Sequence, residues 1–191
     1  MPSRLDTAEW VEPADRAAWR AWLEANHASS SGVWVVTPKA SSARRTLDYE
    51  ELVRELLCFG WVDSTAGRVD ADRSRIYVAP RKRGSTWAAT NKARVAELTA
   101  QGLMAPAGLA AVEAARADGS WTVLDAVDAL EVPADLAAAL DADPAARAGY
   151  ESLPPSGRRQ LLWSVVSAKR EATRAARVAR AVELARQGRA P

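Results

Sequence analysis

Every run of this chain that reads as a β-strand lies before Pro80, and behind Ser85 the prolines mark one helix start after another. Gly32 opens Val33-Trp34-Val35-Val36-Thr37, which Pro38 closes, and two shorter runs follow at Trp61-Val62-Asp63 and Arg75-Ile76-Tyr77-Val78. All three are rich in β-branched and aromatic residues, the types that suit a pleated, half-buried surface. The last two are close in sequence and joined by a polar connection containing Gly67, which predicts an antiparallel hairpin. Pro106, Pro133 and Pro144 each suit the first position of a helix, where the missing N–H costs nothing, and Pro154-Pro155 marks the cleanest boundary. Strands first and helices after predict an α+β fold: a small antiparallel sheet of about three strands covered by helices, followed by an all-helical C-terminal half. The expected division is a core domain over 10–122 and a helical region over 123–191.

Within the first part, Pro13 suits a helix start, and Ala18, Trp19, Trp22 and Leu23 recur at helical spacing until Asn26-His27. A second helix starts at Asp48, which with Glu51 forms a capping box. Tyr49, Leu52, Val53 and Leu56 make its apolar stripe, and Gly60 supplies the left-handed residue that ends it. A third runs from Thr86 to Gln101, where Gly102 stops it. Helices then run from Pro106 to about Asp118, from Pro133 through Leu140 and from Pro144 through Tyr150. The segments 156–168 and 169–187 read either as one long helix or as a hairpin, because no proline or glycine separates them.

Composition narrows the class. In 191 residues, 48% are hydrophobic and 26% charged, which is the balance of a globular chain. No apolar run is long enough for a membrane span or a secretory signal, and Cys58 has no second cysteine to pair with, so the expectation is a soluble cytoplasmic protein without a membrane partner. The net charge of +2 is too small to imply nucleic-acid binding. Its distribution is uneven: residues 154–191 carry nine Lys or Arg against Glu171 and Glu183, whereas 102–153 carry nine acids against Arg116 and Arg147.

The chemistry-bearing residues gather in two stretches, Leu57-Cys58-Phe59-Gly60-Trp61-Val62-Asp63 and Pro80-Arg81-Lys82-Arg83-Gly84-Ser85-Thr86-Trp87, with Asn91 beyond. Indole, thiol, carboxylate and guanidinium together bring polar groups that must be bonded or solvated, as in a pocket or recognition surface. Cys58 lies in the last turn of a helix, where the dipole disfavours a thiolate, so a buried small hydrophobe is expected. His27 suits a helix cap, and a single histidine with a single cysteine makes no zinc-ligand spacing. Asp63 is either a functional carboxylate on the face of Trp61 or a turn-initiating aspartate. Ser85 as an N-cap, with Arg81, Lys82 and Arg83, suits an anion at a helix start. Gly84 stands alone, so no Walker or dinucleotide pattern exists and the sequence calls for no cofactor. Trp34, Trp61, Trp87, Trp121 and Trp163 are either core residues or walls of a cavity, with Trp61 and Trp87 the two expected to face a ligand. In the C-terminal segment Arg170, Arg174 and Arg177 share one helical face, with Ala175, Val178, Val182 and Ala185 on the other.

These two stretches, with Asn26-His27, Gly32-Val33-Trp34, Ser167-Ala168-Lys169 and Thr173-Arg174, resemble the YdeI/OmpD-associated, or bacteriocin-protection, family, over about Trp19 to Arg186. The resemblance implies that the last helix docks on the core, and its name implies a part in antimicrobial resistance. Gly119-Ser120-Trp121 and Thr37-Pro38-Lys39 depart from the family pattern. The reading placed first is a non-catalytic binding protein that captures a small or peptidic, anionic ligand at Trp61, Asp63, Arg81, Lys82, Ser85, Trp87 and Asn91, with Lys169 and Arg174. Two others stand behind it: an enzyme using Asp63 with Lys82 or Lys169 in support, and a nucleic-acid binder using the basic C-terminal helix.

Overall fold

The computed structural model describes residues 5–39 and 47–191. The chain divides into two compact units, Met1–Trp121 and Thr122–Pro191. In the first, β1 (Trp10–Val11), β2 (Val33–Pro38), β3 (Trp61–Arg68) and β4 (Arg73–Pro80) form one sheet in the order β1-β2-β4-β3. β1 runs parallel to β2 and the other pairs are antiparallel. Among the described residues the sheet is therefore mixed and four-stranded, where the sequence predicts about three antiparallel strands. At two residues, β1 is too short to show the period-two alternation by which a strand is recognised.

The hairpin is also longer than its apolar runs. Gly67 belongs to β3 rather than to a connection, and the turn is set by Asp70, whose Oδ1 accepts from the backbone N–H groups of Asp72 at 2.9 Å and Arg73 at 2.8 Å. Asp63 is thus a mid-strand residue, just before a register shift between Asp63 and Ala66.

Among the described residues the unit also holds four helices: α1 (Arg16–Asn26), α2 (Tyr49–Cys58), α3 (Ala89–Ala100) and α4 (Pro106–Ala117). α1 starts beyond Pro13, capped by Asp15, which accepts from the N–H of Ala18 at 2.8 Å. The predicted capping box of Asp48 and Glu51 opens α2, and Gly60, at φ +71°, follows its end. One sheet face carries Val33, Val35, Trp61 and Val78 into a core with Trp19 and Leu23 of α1, Leu52, Leu56 and Leu57 of α2, Leu98 of α3 and Val112 of α4. Glu55 is buried among them, held by Arg16 Nε at 2.6 Å and Arg20 Nη1 at 2.9 Å.

The second unit is helical: α5 (Asp125–Asp128), α6 (Ala134–Asp141), α7 (Pro144–Ser152), α8 (Pro155–Val166) and α9 (Glu171–Arg186). Its core joins Leu136, Leu140, Tyr150, Leu161, Leu162, Val165 and Leu184. The last two helices are separate, broken over residues 167–170. α9 buries Ala181, Leu184 and Ala185, while Ala175 is exposed, so the apolar stripe lies closer to the C-terminus than predicted. Its arginines do not simply face outward. Arg174 holds Asp135 of α6 with two bonds of 2.6 and 2.9 Å, and Arg177 donates to the Ser164 carbonyl and the Ser167 hydroxyl, both at 2.8 Å. Among the described residues no helix is long and apolar enough to cross a membrane.

Candidate functional site

Two of the sequence-predicted residues are brought together, Asp63 on β3 and Arg81 just past β4, and a third, Asn91 in the first turn of α3, reaches the group through Arg94. The two strands are antiparallel neighbours, so Asp63 is opposite Val78, three residues before Arg81. The backbone N–H of Arg81 donates to the Gly60 carbonyl at 3.0 Å, which holds the exit of β4 against the entry of β3. The Arg81 guanidinium lies 3.8 Å from the centroid of the Trp87 ring, and its Nη1 donates to the Thr86 carbonyl at 3.2 Å. Burial pushes the Arg81 pKa down to about 10, against the opposing pull of Asp63. Its Nε is buried without a hydrogen-bond partner among the described residues. Asp63 and Arg81 therefore feel each other's charge without closing an ion pair.

Three residues complete this patch that the sequence reading did not place there. Tyr49, counted in the apolar stripe of α2, is 58% exposed and donates its hydroxyl to Asp63 at 2.9 Å. Partial burial, and after it the bond to Asp63, pushes the phenol pKa up. Arg94 binds Glu50 through Nε at 2.9 Å and Nη2 at 2.6 Å, and its Nη1 donates to Asn91 Oδ1 at 2.8 Å. The hydrogen bonds from Arg94 hold the Glu50 carboxyl below the usual carboxylate range. Charged residues on solvent-facing helix turns look like ordinary surface, and only the meeting of α2 with α3 makes this group visible.

The other predicted residues lie elsewhere. Trp61 and Trp87 are each 1% exposed and belong to the core, which corrects the expectation that their faces meet a ligand. Trp61 packs edge-on against Trp22 and donates Nε1 to the His27 carbonyl at 3.3 Å, while Trp87 lies against Trp121 as well as Arg81. Trp34 is buried too. Ser85 is not the cap of a helix: α3 begins at Ala89, with Ala88 at the cap position, so Ser85 does not stand at a helix start. Lys82 and Ser85 instead line a groove with Val62, Ser64 and Tyr77. Val62 and Ser64 flank Asp63 along β3, which puts the groove on the opposite sheet face. Lys169 and Arg174 belong to the second unit, where Arg174 is committed to Asp135.

Cys58 is fully buried, and burial and then the charge of Glu55 push its thiol up, so it is a packing residue. His27 follows α1 with Nδ1 2.9 Å from the Leu23 carbonyl, a capping bond that places the ring proton on Nδ1. Among the described residues no group of three or more His, Cys, Asp or Glu side chains could hold a metal ion.

Comparison with known proteins divides the chain much as its structure does. Residues 11–111 match the family model described as a domain of unknown function, DUF8412, and residues 129–188 match that of the bacteriocin-protection, YdeI or OmpD-associated family. The YdeI/OmpD-associated match thus covers the C-terminal part, while Asp63, Arg81 and Asn91 fall within the other. No curated protein and no solved structure matches the chain.

Proposed function

Because this chain belongs to the DUF8412 family and carries a bacteriocin-protection, YdeI or OmpD-associated domain behind that segment, we propose that it is a binding protein that captures a small or peptidic ligand without turning it over. Its contribution is to antimicrobial or stress resistance in the cytoplasm, where a lone thiol such as Cys58 stays reduced. One observation carries the reading: on the same hairpin, Asp63 is bonded to Tyr49 and the Arg81 guanidinium lies over Trp87, and the two opposite charges do not pair with each other. Here the Arg81 guanidinium is held over Trp87 and Asp63 is held by Tyr49, so each group is fixed in place.

Such a fixed couple binds a molecule that presents an anion to Arg81 and a donor to Asp63, with Asn91 Nδ2 as a further donor. Preorganisation is what raises affinity here, because little side-chain freedom remains to be lost. The chemistry favours amino-acid derivatives and short peptides, which carry both kinds of group. A thermal-shift screen of amino-acid derivatives, peptides, nucleotides and antibiotics tests this, since a ligand that prefers the folded state raises the melting temperature. A compound that stabilises the wild type and not Asp63→Asn supports the reading. A screen in which nothing moves, or in which the variant responds equally, contradicts it.

A further inference from the structure

We infer that Asp118, at the C-terminal end of α4, is a positioning residue for Arg81: its carboxylate pins the turn that joins Arg81 to Trp87 and so keeps the guanidinium over the indole. The inference deepens the function proposed above, and rests on that reading only for its consequence on a ligand.

The chain between β4 and α3 must hold a cation against a buried ring, and its course is set from both ends and from the middle. At one end the Arg81 N–H is bonded to the Gly60 carbonyl at 3.0 Å. At the other, Trp87 is buried in the core and its ring lies 5.0 Å from that of Trp121. Between them the Ser85 N–H donates to the Lys82 carbonyl at 3.0 Å and closes a turn whose third residue, Gly84, has φ +76°. Glycine reaches that conformation without a steric cost. Held by its internal bond alone, such a turn is free to swing as a body. Here the Gly84 N–H also donates to Asp118 Oδ2 at 3.2 Å, which ties the turn to the end of α4.

Asp118 is itself well held. Its side chain is 16% exposed, and its other oxygen accepts from the Ser120 N–H at 3.0 Å, so each carboxylate oxygen has a backbone donor. Arg83 adds little, since its Nε is 3.8 Å away on a side chain 90% exposed, where water screens the attraction. The anchor is therefore the backbone bond. Its effect reaches Arg81 through Thr86, two residues past Gly84, whose carbonyl accepts from Arg81 Nη1 at 3.2 Å. A turn released from Asp118 carries that carbonyl away and leaves the guanidinium with the ring alone. A cation fixed beforehand binds an anion more tightly than one that must first be ordered.

The test reads Arg81 directly, by proton NMR of the intact protein. A guanidinium 3.8 Å from an indole centroid has its side-chain protons displaced upfield by the ring current. Asp118→Ala is expected to lose most of that displacement, whereas Asp118→Asn, which keeps an oxygen for the Gly84 N–H, and Arg83→Gln are expected to retain it. The Trp87 and Trp121 indole resonances should stay in place throughout. Alanylalanine, which presents an ammonium to Asp63 and a carboxylate to Arg81, is the binding probe, and Asp118→Ala is expected to weaken it about fivefold, the scale of one hydrogen bond. If alanylalanine binds no form of the protein while Asp118→Ala releases Arg81, the positioning holds and the ligand reading above fails. The inference is overturned if Arg81 keeps its displacement in Asp118→Ala, if Asp118→Asn or Arg83→Gln loses it to the same extent, or if the indoles move together with Arg81. Equal alanylalanine affinity in wild type and Asp118→Ala overturns it as well.

Discussion

Tyr49, the first residue of α2, donates its hydroxyl to Asp63 on β3 at 2.9 Å, so the carboxylate central to the site is positioned by the helix that precedes its strand. Burial favours the protonated phenol, and the bond to Asp63 acts in the same direction. A folded-state pKa above the unfolded value means that the protonated group contributes stability fully below about pH 10. That contribution is lost as pH rises through the folded pKa. A spectroscopic titration of the tyrosines is predicted to show Tyr49 ionising above the ordinary range, and Asp63→Asn to bring it back down. Tyr49→Phe should remove that high-pH step. An unchanged titration in Asp63→Asn would contradict the contact.

Glu55 gives a stability prediction of a different kind. It is 1% exposed, whereas its partners Arg16 and Arg20 are 38% and 30% exposed, so the carboxylate is the member that depends on the pair. Replacing both arginines by alanine leaves an uncompensated buried charge, expected to cost about 3–5 kcal/mol. Glu55→Leu leaves two cations that reach water, and about 1–2 kcal/mol is expected. Urea unfolding checks the order, and a larger loss in Glu55→Leu than in the double variant would refute it.

Gly149 is the corresponding point in the second unit. A Cβ at this position would come within 1.9 Å of the Ala185 carbonyl oxygen, so α7 and α9 approach as closely as they do only because residue 149 has no side chain. The obstacle is backbone, which cannot turn aside, and Gly149→Ala is expected to cost about 3 kcal/mol or more. Gly157→Ala serves as the control. Its added methyl meets nothing nearer than 3.4 Å, and helix propensity favours alanine by about 1 kcal/mol. Thermal unfolding should separate the two variants, and equal melting temperatures would contradict the packing described.

What the sequence shows, and what it conceals, follows from the range of the forces involved. The capping box at Asp48 and Glu51, the turn at Gly60 and the buried Cys58 were legible because each is decided within a few residues. β1 was not, since two residues carry no period, and its pairing of Trp10 with Trp34 depends on a strand far along the chain. The helix-start reading of Ser85 failed because α3 begins four residues later, at Ala89. For the site, proximity of Asp63 to Arg81 followed from a hairpin, which local pattern predicts. Tyr49, Glu50 and Arg94 depend on how α2 meets α3, and no spacing in the sequence encodes that. The same limit explains Trp61 and Trp87: indole composition suggests a pocket wall, and only packing reveals that both are core.

The account depends on Asp63 and Arg81 acting as two fixed ends of one binding site. The most direct measurement is calorimetric titration of the compound that most stabilises the protein in the screen, into wild type, Asp63→Asn, Arg81→Gln and the double variant. Each single substitution is predicted to weaken binding about tenfold or more, and the double to abolish it, with folding unchanged by circular dichroism. Wild-type affinity in either single variant would contradict the account.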